Sequence, residues 1–277
     1  MLVLGGCGGP APEEAAPVIS LAPVRTSGAL ADGFEIEPGS GLVGAVFPVD
    51  LREGWQAILR VDGDARRVFE GYVRQAKDLG HAMQSGWCCR PEGQWCSNPD
   101  DENTGDDPPG PFPVGCTAYT DAPDDLALSL YAFVGADGHG YVRIRIDRLS
   151  TEAEPLPHIP SGPVAPATDV EVAPDLTPET DDPPIRVVEG SALISEPLPV
   201  ECVTGGYVAV LRVTGELTPV LRGYQEQFTS GGFGSGEGLS GNDDELRVVT
   251  SAAGGGSLYA VAVPGDPSHV LIERCND

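Results

Sequence analysis

The chain has 277 residues, and its 42 acidic against 16 basic side chains give a formal net charge of −26. That length suits about two domains, each large enough to bury its own core. The charge repels polyanions, which rules against nucleic acid and anionic lipid surfaces as partners.

The chain opens Met1-Leu-Val-Leu-Gly-Gly-Cys7. Leu4-Gly5-Gly6-Cys7 resembles the lipobox of bacterial lipoproteins, in which the signal is cut before the cysteine and its thiol takes a diacylglyceryl group. The resemblance implies lipidation at Cys7 and a place in the cell envelope, on the periplasmic or surface side. The apolar run before Cys7 is shorter than a full signal, so the sequence is expected to begin inside it. No other apolar run could span a bilayer, and attachment would be through the lipid.

Residues 8–32 are rich in Pro, Ala and Gly without periodicity, as in a tether. A first unit is expected over 33–150. Trp55, Ala57, Leu59 and Val61 alternate with Gln56 and Arg60, which predicts a strand with one wet face in an antiparallel sheet. Ala65, Val68, Phe69, Tyr72, Ala76, Leu79 and Met83 recur at three and four, predicting a helix over 64–83 after Asp64 and near Gly80. Strands follow at 116–121, 128–135 and 141–148, the last with Val142, Ile144 and Ile146 against Arg143, Arg145 and Asp147 at a sheet surface.

Residues 151–184 carry nine prolines. Eight acids and no base lie between 152 and 182, which predicts an extended spacer. From 185 to 277 the pattern returns. Gly54–Gln75 lies over Gly206–Gln227 without a gap, and ten of the twenty-two positions are identical. Chance at ordinary residue usage would give about one or two. Ser129-Leu-Tyr-Ala132 also answers Ser257-Leu-Tyr-Ala260, and a second helix is expected over 219–228, capped by Thr218. The chain therefore reads as α+β, two tandem homologous domains, each a mainly antiparallel sheet (β-β-α-β-β-β) with one helix on one face.

The seven cysteines leave six once Cys7 is set aside. Cys202 and Cys275 fall at positions where the first copy has no cysteine, so they are expected to pair, closing a loop worth roughly 4 kcal/mol in the chain-entropy model. Cys88, Cys89, Cys96 and Cys116 allow 88–96 with 89–116, or 88–116 with 89–96, because adjacent cysteines seldom bond each other. These bridges would staple an acidic loop. In it Asp100, Asp101, Asn103 and Asp106 have the oxygen-ligand character of a calcium loop, although Gly105 takes the third ligand position and no Glu stands at twelve. Trp87 and Trp95 are candidate ligand contacts in the same loop. Calcium is the one cofactor the residues invite.

Gly236-Glu-Gly-Leu-Ser-Gly241 follows a helix, and its Glu237 would repel a phosphate, so it reads as a loop. His81, His139, His158 and His269 share no short motif with an acid or a cysteine. Arg60 and Arg212 recur on the open sheet face, which suits a cross-strand ion pair as well as a site. The expected role is that of a non-catalytic, lipid-anchored envelope or surface protein that binds a partner, such as another envelope or surface protein, or builds structure. The alternatives are a calcium-dependent binding or adhesion module using the 88–116 loop, and a hydrolase with a site between the repeats.

Overall fold

The computed structural model describes residues 25–49, 53–83, 87–88, 115–120, 126–135, 138–148, 162–172, 184–195, 197–200, 206–231, 239–240, 246–251, 257–263, 265 and 267–275. The first half of these residues holds β1 (Ser40–Leu42), β2 (Phe47–Pro48), β3 (Glu53–Val61), α1 (Ala65–Asp78), β4 (Trp87–Cys88), β5 (Gly115–Tyr119), β6 (Leu126–Val134) and β7 (Gly140–Arg148). The second holds β8 (Ala167–Glu171), β9 (Arg186–Val188), β10 (Ser191–Leu193), β11 (Leu198–Pro199), β12 (Gly206–Val213), α2 (Leu217–Ser230), β13 (Leu239–Ser240), β14 (Leu246–Ser251), β15 (Ser257–Val263) and β16 (His269–Cys275). The architecture is α+β, with mainly antiparallel sheets and two helices.

One seven-stranded sheet runs β1-β3-β7-β6-β5-β4 with β2 beside β3, and another runs β10-β12-β16-β15-β14-β13 with β11 beside β12. The long strands pair in matching places: Gly54 faces Asp147 and Gly206 faces Cys275. The Ser-Leu-Tyr-Ala match does not follow this register. Ser257 faces Cys275, whereas Asp147 is faced by Ala127, two residues before Ser129. Because side chains alternate with a period of two, a slip of two keeps the same residues on the same face and leaves the core pattern intact.

The apolar sides of the two sheets carry the helices. Trp55, Ala57, Leu59 and Val61 join Leu128, Leu130, Val142, Ile144 and Ile146 under Val68, Phe69, Tyr72 and Ala76 of α1. Tyr207, Ala209, Leu211 and Val213 do the same with Val270 and Ile272 under Val220, Leu221, Tyr224 and Phe228 of α2. Asp64 caps α1, its Oδ1 accepting from the Arg66 and Arg67 amides at 3.0 and 3.2 Å. The helix ends at Asp78, short of the expected Met83, because Gly80 takes a φ of +91° and Met83 bridges to Thr120. The second helix starts earlier than expected. Glu216 stands at the N-cap without a side-chain bond, and Thr218 and Pro219 fall in the first turn.

The sides predicted to be wet are not. Phe47, Ile58, Phe133 and Tyr141 of the first sheet meet Leu198, Val208, Val210, Val261 and Leu271 of the second in one buried cluster. The order of layers is thus helix, sheet, sheet, helix. Fully burying such side chains contributes about 1.5–3 kcal/mol each. Alternation alone marks two unlike faces of a strand and does not say what covers the more polar one.

Residues 25–32 and 162–172, the described parts of two segments expected to stand apart from the folded units, are packed against them. Within the predicted tether, Leu30 and Ala31 pack on the first core, and Arg25 bridges to Leu42. Within the predicted spacer, β8 pairs with β9, Val172 is fully buried, and the Ala165 amide donates to the Pro219 carbonyl at 3.1 Å. Pro and acid content misled here because an exposed edge strand tolerates both.

These flanking segments run along the helices and account for several of the shared residues. The Tyr72 hydroxyl accepts from the Glu37 amide at 3.0 Å and bonds the Ser40 hydroxyl at 3.1 Å. The Tyr224 hydroxyl accepts from the Val188 amide at 3.2 Å and bonds the Ser191 hydroxyl at 2.9 Å. Burial, partly offset by the serine and backbone bonds, pushes both phenols up to about 12, so they remain protonated. Gln75 exchanges two bonds with the Glu35 backbone, and Gln227 does so with the Arg186 backbone. Gly71 and Gly223 let the segments come close.

Those two glycines give a differential prediction. A Cβ at Gly223 would lie 2.5 Å from the Ala165 carbonyl oxygen and 2.7 Å from Val188, whereas at Gly71 it would meet only the mobile end of Glu37, at 2.5 Å. Alanine gains about 1 kcal/mol over glycine inside a helix. Gly71→Ala should therefore change stability by less than about 1 kcal/mol, while overpacking makes Gly223→Ala cost about 1–3 kcal/mol. Urea unfolding of the two variants measures the difference, and equal midpoints would contradict the packing described.

Candidate functional site

Charged side chains at the centre of a sandwich need partners, and the inter-sheet layer supplies them. Arg143 lies at the middle of β7 and Glu273 at the middle of β16, each 4 % exposed. The Arg143 Nη2 donates to Glu273 Oε2 at 2.5 Å. Its Nε and Nη2 also donate to Gln56 Oε1, at 3.0 and 2.6 Å, and Gln56 is fully buried. Arg145 Nη1 reaches the other carboxylate oxygen of Glu273 at 3.2 Å, and its Nε and Nη2 clasp Asp147 at 2.8 and 3.1 Å. Two guanidinium groups and two carboxylates balance, with the amide of Gln56 filling out the donor pattern of Arg143.

In a low-dielectric layer this arrangement chiefly fixes register. Removing one partner leaves a buried charge uncompensated, whereas a matched pair adds little over apolar packing. Phe133 and Tyr141 stack beside it with centroids 5.8 Å apart. Among the described residues, Ile58, Val208, Val210 and Leu271 pack between the two sheets in the same layer.

Other titratable groups lie around the sheets. His269, opposite Arg212, is 5 % exposed and its Nε2 has no hydrogen-bond partner among the described residues. Burial first, then the Arg212 charge, lowers its pKa from the ordinary histidine value, so the neutral ring is the favoured form. Arg60 Nη2 lies 2.9 Å from His139 Nε2 at the turn between β6 and β7, and Arg212 is exposed. His81 stacks on Phe34 with centroids 6.1 Å apart. Asp32 accepts from Trp55 Nε1 at 2.9 Å and from Arg148 Nη2 at 2.7 Å. Burial raises that carboxyl, but the two donors and the charges of Arg148 and His81 outweigh it and hold it below the usual aspartate value. Among the described residues no group of three or more His, Cys, Asp or Glu is placed to hold a metal ion.

The predicted site residues are placed unevenly. Trp87 and Cys88 form β4, at the end of the first sheet, and Cys88 is the ladder partner of Cys116 in β5. Cys275 ends β16 and is disulfide-bonded. Cys7, Cys89, Cys96, Cys202, Trp95, Asp100, Asp101, Asn103 and Asp106 lie outside the described residues. The residues that sequence reasoning missed are Gln56, Arg143, Arg145 and Asp147, all assigned to a wet face, and Glu273, which it did not single out. A signal for them was present: Ile58, Tyr141, Val208, Val210 and Leu271 share their faces, which is too apolar a set for a solvated surface.

No family model matches the chain, and no curated protein does. Among solved structures, the tesB protein of Mycobacterium avium subs paratuberculosis covers 83 % of this chain and 94 % of its own at 10 % identity, with a TM-score of 0.15. An acyl-CoA thioesterase II, TesB2, from Mycobacterium marinum has the same coverage at 12 % identity and the same TM-score of 0.15. Superpositions that poor bear on neither the fold nor the chemistry of this chain.

The polar layer makes a sharp mutational prediction. Arg143→Met should destabilise by about 3–5 kcal/mol by leaving buried Glu273 with Arg145 alone, and Arg143→Met with Glu273→Leu should recover part of that loss. Chemical denaturation of the single and double variants gives the coupling. Additive losses would mean that the two side chains are not partners.

Proposed function

We propose that the chain is a non-catalytic, lipid-anchored protein of the cell envelope, made of two tandem copies of one α+β unit. The copies span 33–150 and 185–277, and the segments at 25–32 and 162–172 join them as packed flanks. The first copy offers the stapled acidic loop at 88–116 to a binding partner.

The observation that carries this reading is what the polar residues are occupied with. Those common to both halves hold each flanking segment to its helix: Tyr72 and Tyr224, Gln75 and Gln227, Ser40 and Ser191. Of the unshared charges, Arg143 and Arg145 join sheet to sheet through Glu273, and Asp147 pairs with Arg145. A duplicated scaffold whose polar groups serve its own architecture supports a structural or binding role. It also supports the duplication, because hydroxyl and amide bonds of the same kind recur at matching places in both halves. The loop draws attention as a binding element because long insertions on a rigid sheet are where recognition tends to be built.

The anchor is tested by supplying a complete lipoprotein signal ahead of Cys7 and comparing the parent with Cys7→Ser. The parent should sediment with membranes and carry a mass increment at Cys7, while the variant should be soluble. A variant that stays with the membranes would overturn the lipobox reading.

A further inference from the structure

His269 begins β16, where His269, Leu271 and Glu273 alternate onto one face, and the latter two lie between the sheets. The first half closes over the ring. A Cβ added at Gly44, between β1 and β2, would stand 3.4 Å from His269 Cδ2, 2.7 Å from Val210 Cγ1 and 3.4 Å from Phe47 Cζ. The imidazole is buried, and its Nε2 has no hydrogen-bond partner among the described residues. Across the ladders it faces Arg212 of β12 and Val263 of β15. Gly44, Phe47 and Val263 bring no charge, and Arg212 has the wrong sign to hold an imidazolium. The carboxylate on the same face of β16, Glu273, stands four residues on and is engaged by Arg143 and Arg145. In the first half the equivalent place, opposite Arg60, is held by buried Tyr141. The fold therefore accepts an aromatic ring there without a basic nitrogen, and packing alone does not call for histidine.

We propose that His269 is an acid-sensitive latch between the two halves: its neutral ring lets the sheets close, and proton uptake puts a second cation beside Arg212 and loosens them. Burial, and then the Arg212 charge, hold the folded ring's proton affinity below that of an unfolded histidine. The unfolded chain therefore binds more protons once the pH falls below about 6.5. The stability tied to the neutral ring is complete above that pH and is lost as the pH falls through the lower folded-state value. Loosening exposes Ile58, Phe133, Val208 and Leu271, which gives the chain an apolar surface that depends on acidity. The latch does not depend on the lipid anchor or on the loop at 88–116.

The test compares the full chain with His269→Gln and His269→Phe, neither of which takes up a proton there. Between about pH 7.5 and about pH 5.5, urea unfolding should show the parent's folding equilibrium constant falling further than either variant's. The extra fall approaches about tenfold, the limit for one proton at a site of unfolded pKa about 6.5. Anilinonaphthalene sulfonate, a dye that brightens on apolar surface, should brighten with acid more strongly on the parent than on the variants. Magnetic resonance of labelled histidine should show His269 titrating below the ordinary range, its signal assigned by its absence from His269→Gln. Equal slopes in parent and variants would overturn the latch, as would a ring titrating at the ordinary value. A slope special to the parent without dye binding special to it would also overturn the latch, because the proton would then act elsewhere. If the variants fail to fold, the parent decides alone: dye binding that does not rise as the ring takes its proton would sink the proposal.

Discussion

The bond between the Arg143 guanidinium and the Glu273 carboxylate joins the middles of two sheets, and its geometry limits how the halves of the chain can meet. Taking two charges out of water costs several kcal/mol for each ion, and only close, well-satisfied partners offset that cost. Gln56 and Arg145 supply the satisfaction, and Asp147 balances the second guanidinium. A slide of one sheet past the other would break both bonds to Glu273 at once. The apolar residues around them provide the driving force for contact, and the charged cluster selects one register from the many that greasy faces would permit.

Once the inner faces are fixed, the outer layers follow. Each sheet presents its other face to a helix, and each helix is held by a flanking segment through a tyrosine hydroxyl and a glutamine amide. The glycines of the two described helices, Gly71 and Gly223, lie where those segments approach, and the small hydroxyl partners Ser40 and Ser191 stand opposite the phenols. The proposed binding segment at 88–116 begins in β4 and ends in β5, at one edge of the first sheet.

Much of the secondary structure could be read from the chain, because alternation and helical spacing are local. The long strands and both helices lie where periodicity puts them, with ends shifted by a few residues at Met83 and Leu217. Three features were beyond a local reading. Water and a partner's counter-charge leave the same polar mark on a strand, so Arg143 and Asp147 were assigned to solvent and Glu273 was not singled out. Ser40 and Ser191 escaped the alignment because their offset is 151 residues where the strand-and-helix match has 152. Residues 162–172 were taken for spacer because their prolines and acids are typical of one, yet Val172 supplies a buried anchor. The loop chemistry was not legible at all: acid-rich sequence around Asp100 looks the same whether it solvates or coordinates.

Scanning calorimetry of the full chain tests the central claim, that the two sheets share one buried core. Chains of this length often unfold domain by domain. Here separation of the halves would expose Ile58, Phe133, Tyr141, Val208, Val210 and Leu271 and strand the charges between them. The account predicts a single cooperative transition, with calorimetric and van't Hoff enthalpies in agreement. Two resolved transitions, each assignable to one half, would contradict it.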